Sequence, residues 1–235
     1  LLCRWTSHGN GETRTCVLLV DVDGQDGTAL NEVGPPLGAG TWASFAADVL
    51  DASASADLCA VAGSLPPGVP AAALGELVAA LGARGRPVVV DTSGPALVAA
   101  LSARPWGLKV NAHEAGELLG RPLASPAEAR DAVGELLARG VKLAAVSLGA
   151  LGCVAADASG CWWARPPAVQ ARSSVGSGDS LHAGLLTGVL RGQPLPEALR
   201  LGVACGAADA ITPGPGLIEP AEVARLAAAV TVEAL

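Results

Sequence analysis

The sequence has 235 residues, a formal net charge of −7 and a hydrophobic fraction of 51%. This length suits one sizeable core, and no apolar run approaches the about 18 residues of a membrane span. The acidic balance disfavours a nucleic-acid surface, and the first residues lack the length and charge of a signal peptide. We therefore expect a cytoplasmic protein that binds neither membranes nor nucleic acid. Six cysteines without C-x-x-C spacing predict buried thiols.

The first forty residues predict a β-hairpin. Residues 15–22 and 28–33 have the pattern of strands, and a Gly/Asp-rich turn lies between them. We expect residues 1–40 to form a lid and the entry to a core, and residues 41–235 to form an α/β core. Because the chain contains no methionine, we also expect a processed or partial chain.

From residue 58 onward, short apolar runs alternate with amphipathic segments. The alternation predicts a mostly parallel sheet covered by helices on both faces, with ligands at the carboxyl ends of the strands. The predicted strands are 58–62, 87–91, 107–110, 143–148, 153–156 and 161–164. The predicted helices are 70–83, 95–103, 113–119, 126–139, 180–191, 195–211 and 220–230.

A glycine-rich loop, residues 175–180, precedes an apolar helical run. Gly176, Ser177 and Gly178 leave backbone N–H groups accessible to an anion at a helix N-terminus, and Asp179 supplies a carboxylate able to accept a proton. This combination suggests phosphoryl transfer. One alternative is an ordinary loop in which Ser177 or Asp179 caps the helix. An esterase of the Gly-Asp-Ser-Leu type is disfavoured because no histidine lies near the C-terminus.

Two further motifs follow predicted strands. Gly63 and Ser64 begin a Gly-Ser-Leu-Pro-Pro-Gly turn that suits a small ligand, although a plain strand-to-helix turn explains it equally well. After the strand that carries Lys109, Asn111 and Glu114 either form a capping box or hold a hydrated Mg²⁺ through waters. Lys109 would face a phosphate.

A third turn lies between predicted strands and carries Ser147, Gly149 and Gly152. It is either a structural turn or a place where the backbone recognises a nucleotide. The small residues 204–208 indicate tight helix packing or space for an adenine ring.

The order of these motifs resembles the ribokinase-like carbohydrate kinases of the phosphofructokinase B type. The resemblance covers nearly the whole chain and is greatest for the branch of 1-phosphofructokinases and tagatose-6-phosphate kinases, where Gly-Glu-Thr-Arg, as at 11–14, and Pro-Trp, as at 105–106, recur. It implies a ribokinase-like α/β fold with a small β lid, in which the core at 41–235 binds a nucleotide and a sugar. Two departures are Val110, where the family has proline, and His182, where it has an apolar residue.

The resemblance also implies a role for each motif. Asp179 would be the catalytic base, beside an anion hole of Gly176, Ser177 and Gly178. The acceptor would be bound by Arg14, Gly63, Ser64 and Asp179, ATP by Lys109, Ser147, Gly149, Gly152 and Gly178, and Mg²⁺ by Asn111 and Glu114.

The activity implied is ATP-dependent phosphorylation of fructose 1-phosphate to fructose 1,6-bisphosphate, with a possible homodimer formed through the lid. Alternatives are a kinase for another ketohexose phosphate, such as tagatose 6-phosphate or fructose 6-phosphate, and a non-catalytic nucleotide-binding fragment. The Asn-Pro-x-x-Asp and Gly-Gly-Lys-Gly motifs of the family's N-terminal part do not occur in the sequence, so the chain resembles the family without its first quarter.

Overall fold

The computed structural model describes residues 3–9, 11–20 and 27–235. The chain divides into two compact units. The first comprises Leu1–Val17 and Ala29–Gly107, and the second comprises Leu18–Thr28 and Leu108–Leu235. The division into a lid at 1–40 and a core at 41–235 concerns function and stays a prediction.

The hairpin strands predicted near the N-terminus are present. Strands β1 (Cys16–Val20) and β2 (Gly27–Asn31) form a two-stranded sheet. Its open end is closed by two hydrogen bonds, because Glu32 N donates to Thr15 O at 3.2 Å and Thr15 N donates to the Glu32 carboxylate at 2.7 Å. The predicted turn at 23–27 lies almost wholly outside the described residues.

The first unit also contains a parallel pair of strands with helices. Strands β3 and β4 pair in parallel, from Cys59 opposite Val88 to Ala62 opposite Asp91. Apolar side chains from α2, α3 and β4 make up its core, including Leu77, Leu81 and Leu97. The elements are α1 (Ala39–Ala52), β3 (Cys59–Ala62), α2 (Ala71–Ala83), β4 (Val88–Asp91) and α3 (Gly94–Ser102).

The second unit is a sheet with helices packed on it. Its strands are neighbours in the order β5-β6-β7-β8-β9, and β6 to β9 pair antiparallel. The elements are β5 (Gly107–Asn111), α4 (Ala112–Leu119), α5 (Pro126–Ala138), β6 (Leu143–Ser147), β7 (Cys153–Asp157), β8 (Gly160–Arg165), α6 (Ser177–Leu190), α7 (Leu195–Ala210), α8 (Pro220–Ala229) and β9 (Thr231–Ala234).

Helices α6 and α7 pack closely enough to fix the start of α6. A Cβ added to Gly184 would lie 2.9 Å from Gly202 Cα, and one added to Gly202 would lie 2.9 Å from Leu181 O. A Cβ added to Gly206 would lie 3.0 Å from Ser177 O, so the small residues at 204–208 do pack helix against helix. Because packing at this distance leaves little freedom, the first turn of α6 is held on a rigid frame.

Most predicted elements are confirmed with ends shifted by one or two residues. The start of α6 is the larger difference: the sequence predicts residue 180, and the helix begins at Ser177. Helix α1 and strand β9 were not predicted. Within the described residues, no helix is long and apolar enough to cross a membrane.

Candidate active site

The glycine-rich loop becomes the first turn of α6. Gly176 is the N-cap residue with φ of 91°, a left-handed conformation that a side chain would disfavour. Ser177 N donates to Ser174 O at 3.3 Å, and Ser180 N donates to Gly176 O at 2.8 Å. The amides of Gly178 and Asp179 lie between them in the turn whose N–H groups have no partner within the helix. These two amides are suited to bind an anion.

The Asp179 side chain is exposed at this helix N-terminus. No hydrogen bond or ion pair joins its carboxylate to another residue of the described chain. Asp179 is therefore placed to accept a proton from a ligand rather than to stabilise the fold.

Lys109 brings a cation to the same loop. Lys109 lies in β5 and is only 4% exposed. Its Nζ lies 3.1 Å from the position of a Cβ added to Gly178. Burial raises the pKa of the nearby Cys153 thiol to about 12, although the charge of Lys109 acts in the opposite direction. The thiol therefore stays protonated at neutral pH. An ammonium beside the Gly178 amide favours an anion at that point.

Asn111 and Glu114 form the capping box that one interpretation of the sequence predicts. The Asn111 side chain accepts from Glu114 N at 2.9 Å, and the Glu114 carboxylate accepts from Asn111 N at 2.8 Å. The cap engages only one carboxylate oxygen of Glu114, so the other oxygen remains able to bind water. In the described chain, no three His, Cys, Asp or Glu side chains cluster as metal ligands. The donor set fits Mg²⁺ held through waters rather than an all-protein cage.

The turn with Ser147, Gly149 and Gly152 joins β6 to β7. Leu148 N donates to Gly152 O at 2.8 Å, and the Ser147 hydroxyl lies 3.5 Å from Val110 O. Gly152 has φ of 91°, and a Cβ there would lie 2.0 Å from Ala164 O. The backbone of this turn is therefore fixed tightly against β8.

Three of the predicted site residues, Arg14, Gly63 and Ser64, belong to the first unit. Gly63 N donates to Asp91 O at 3.0 Å, and the hydroxyl of Thr92 donates to Gly63 O at 2.8 Å. The side chains of Arg14 and Ser64 are exposed. The structure thus fixes the backbone of the turn and leaves both side chains accessible.

The sequence did not indicate Asp209. This residue of α7 is 1% exposed, and its carboxylate accepts hydrogen bonds from the hydroxyls of Ser177 and Ser180 at 3.3 and 3.2 Å. The available signal was an acidic residue directly after the small, apolar run Gly202–Ala208 of α7.

The family profile of the pfkB carbohydrate kinases matches residues 6–222. The chain belongs to this family. The predictions of a carbohydrate kinase and of a ribokinase-like α/β fold are thereby confirmed. The match includes every residue to which the sequence assigned a site role.

Characterised relatives agree with the family assignment. The chain is 41% identical over 226 residues to the 1-phosphofructokinase of Rhodobacter capsulatus, covering 96% of this chain and 72% of that protein. It is 34% identical over 223 residues to the 1-phosphofructokinase of Escherichia coli K12, covering 95% and 71%. The chain thus spans less than three quarters of these relatives.

Solved structures share the fold. Phosphofructokinase-2 from Escherichia coli in complex with potassium has a TM-score of 0.85 at 30% identity, covering 92% of this chain and 71% of that one. A possible 1-phosphofructokinase from Thermotoga maritima has a TM-score of 0.83 at 22% identity, covering 96% and 72%. The second likeness supports the fold alone.

Proposed function

We propose that the protein is an ATP- and Mg²⁺-dependent cytoplasmic kinase that converts fructose 1-phosphate to fructose 1,6-bisphosphate. The observation that carries this proposal is the exposed Asp179 carboxylate in the first turn of α6, next in the chain to Gly178, whose Cβ position lies 3.1 Å from the Lys109 ammonium. A base next to an anion-binding turn is what transfer of a phosphoryl group to a hydroxyl requires. The 1-phosphofructokinase relatives support the choice of acceptor.

The proposed step is a displacement at the γ-phosphorus of ATP. Asp179 accepts the proton of the acceptor hydroxyl, whose oxygen forms the new bond to phosphorus while the bond to the ADP oxygen breaks. The amides of Gly178 and Asp179 and the charge of Lys109 offset the negative charge that spreads over the phosphoryl oxygens. These groups are fixed before the reaction, so they need no reorganisation.

Mg²⁺, when bound, neutralises charge on the nucleotide phosphates. Asn111 and Glu114 would hold it through waters, because the capping box fixes both side chains at the start of α4. Ser147, Gly149 and Gly152 would border the nucleotide through their tightly held backbone. Gly176 and Ser177 would shape the anion-binding turn.

Arg14, Gly63 and Ser64 are proposed to bind the acceptor. An arginine contact to the existing phosphate is a charge-assisted hydrogen bond and selects a phosphorylated sugar. The Ser64 hydroxyl is suited to a sugar hydroxyl, and the absence of a side chain at Gly63 allows close approach. The small-molecule partner is therefore a sugar phosphate, and neither nucleic acid nor membrane is expected.

A homodimer through the lid is also proposed. Val17, Leu19 and Leu30 of the two-stranded sheet are 46%, 54% and 54% exposed, an apolar surface that a second copy would cover. One structure of Escherichia coli phosphofructokinase-2 is described as a tetrameric inhibited form, so assembly occurs in the family. Sedimentation of the chain and of a Leu30→Lys variant would test this.

A panel of acceptors tests the proposed function. ADP release is measured with fructose 1-phosphate, fructose 6-phosphate, tagatose 6-phosphate and fructose as acceptors. We expect kcat/KM to be largest for fructose 1-phosphate and lowest for fructose, which offers no phosphate to Arg14. Preference for fructose 6-phosphate or tagatose 6-phosphate would reassign the acceptor, and equal values for fructose would contradict a phosphate-binding role of Arg14.

A further inference from the structure

Asp209 is a buried acid that the proposed reaction does not use. It lies near the end of α7, 1% exposed, among residues that are otherwise small or apolar. No Lys or Arg of the described chain forms an ion pair with it. Burying a carboxylate without a cation is costly unless its oxygens accept several hydrogen bonds.

The donors to Asp209 come from two segments. One is the glycine-rich loop, through Ser177 Oγ at 3.3 Å and Ser180 Oγ at 3.2 Å. The other is the turn after α7, residues 212–216, through Gly216 N at 2.6 Å. None of these donors belongs to α7 itself, so the carboxylate joins the helix to two segments outside it.

The same two segments touch directly. A Cβ added to Gly176 would lie 2.4 Å from Pro215 Cβ and 3.1 Å from the Asp209 carboxylate. The turn is also closed on itself, because the Thr212 hydroxyl lies within hydrogen-bond distance of two carbonyl oxygens, Asp209 O at 2.8 Å and Gly214 O at 2.7 Å, and shares its one proton between them. A shift of the turn therefore moves the N-cap of α6.

We propose that Asp209 is a positioning residue that locks the glycine-rich loop to the 212–216 turn and so orients the amides of Gly178 and Asp179. Its effect on catalysis rests on the proposed function, whereas its effect on the loop does not. Because the anion-binding groups are backbone amides, no side chain can adjust for a loop that moves. A displacement of about 1 Å at such a site can lower a rate by about 10²-fold.

Hydrogen exchange tests, independently of activity, whether Asp209 holds the glycine-rich loop against the 212–216 turn. In Asp209→Ala we expect the amides of residues 177–181 and 212–217 to exchange about 10-fold faster, because several hydrogen bonds to one charged group are lost together. Asp209→Asn keeps one acceptor oxygen, so we expect a smaller increase. The control is Val203→Ala, which removes a 2% exposed side chain from the same helix. Unchanged exchange in both segments, or the same pattern in Val203→Ala, would overturn the proposal.

Kinetics then test the consequence for the reaction. With fructose 1-phosphate we expect Asp209→Ala to lower kcat about 10-fold or more while the acceptor KM stays within about 3-fold, with partial recovery in Asp209→Asn. Val203→Ala should retain kcat. A variant that retains kcat despite the exchange change would overturn the orienting role. If the unsubstituted chain shows no turnover, the proposed function fails, and the exchange result alone decides whether Asp209 locks the loop.

Discussion

The glycine-rich loop and the turn at residues 63–68 are built in opposite ways. Behind the loop lies a buried carboxylate, Asp209, that accepts from two serine hydroxyls and one amide. The turn is held through its backbone, with Gly63 bonded to Asp91 and to the Thr92 hydroxyl. In the loop, side-chain hydrogen bonds fix a backbone whose amides are proposed to bind an anion. In the turn, hydrogen bonds to the backbone of Gly63 fix the segment that presents the Ser64 side chain.

This difference predicts different outcomes of mutation. At the loop, the groups proposed to bind are amides, so we expect substitutions around it to affect positioning and turnover together. At the turn, and at Arg14, the side chains proposed to bind are exposed, so we expect their loss to leave the fold intact. Substitutions in the first unit should therefore change the acceptor KM more than stability.

The largest effect is expected at Asp179. Asp179→Asn keeps the size of the side chain but removes the base, so we expect kcat to fall by about 10²-fold or more while ATP affinity stays nearly unchanged. Asp131→Asn, at an exposed acid of α5, is the matched control. Turnover near the unsubstituted value in Asp179→Asn would contradict the assignment of the base.

Gly152→Ala tests the turn between β6 and β7. A methyl group there meets Ala164 O at 2.0 Å in a left-handed conformation, so we expect a loss of about 2–4 kcal/mol in the free energy of unfolding. Gly82→Ala in α2, where a Cβ meets nothing within 4 Å, should be neutral or stabilising. Thermal unfolding of both variants decides this. Equal melting temperatures would mean that the turn is more adaptable than the structure indicates.

Arg14→Ala tests acceptor recognition. Loss of a charge-assisted hydrogen bond of about 1.5–3 kcal/mol corresponds to an increase of about 10–150-fold in KM for fructose 1-phosphate. Fructose, which has no phosphate, should be affected little. The control is Arg4→Ala, which removes an exposed ion pair with Asp51. A parallel rise for both sugars would show that Arg14 is structural.

Asn111→Ala tests whether Asn111 only caps α4 or also helps to bind Mg²⁺. Loss of either N-cap should cost about 1 kcal/mol, so Asn111→Ala and Ser125→Ala, which uncaps α5, serve as a matched pair in stability. Only Asn111→Ala should raise the Mg²⁺ concentration needed for half-maximal rate. The same Mg²⁺ dependence in both variants would show that Asn111 caps the helix and does not help to bind Mg²⁺.

The sequence predicted what depends on local pattern. The buried strands β4 and β6 were found from short apolar runs, and the capping box of Asn111 and Glu114 from its spacing. The start of α6 was wrong by three residues, because Gly176 is a left-handed N-cap that packs closely against Pro215, a contact that no local pattern indicates. Helix α1 was not predicted because none of its side chains is buried and no side chain caps it.

Asp209 was not predicted for a related reason. Its serine partners are 29 and 32 residues away in the sequence, and no local spacing indicates such contacts. The motifs themselves indicated that Asp179 can accept a proton and that Lys109 would face a phosphate, and the resemblance to a family implied that Asp179 is the catalytic base. The structure adds that Lys109 lies beside Gly178. The two residues are far apart in the sequence, so no local pattern indicates this contact.

A single-turnover experiment tests the central claim most directly. The chain in excess is mixed with Mg²⁺, fructose 1-phosphate and ATP labelled at the γ-phosphate, and the products are separated after quenching. We predict that the label moves to fructose 1,6-bisphosphate in the unsubstituted chain and stays on bound ATP in Asp179→Asn. Bound ATP that transfers no label in the unsubstituted chain, or transfer at the same rate in Asp179→Asn, would contradict the account.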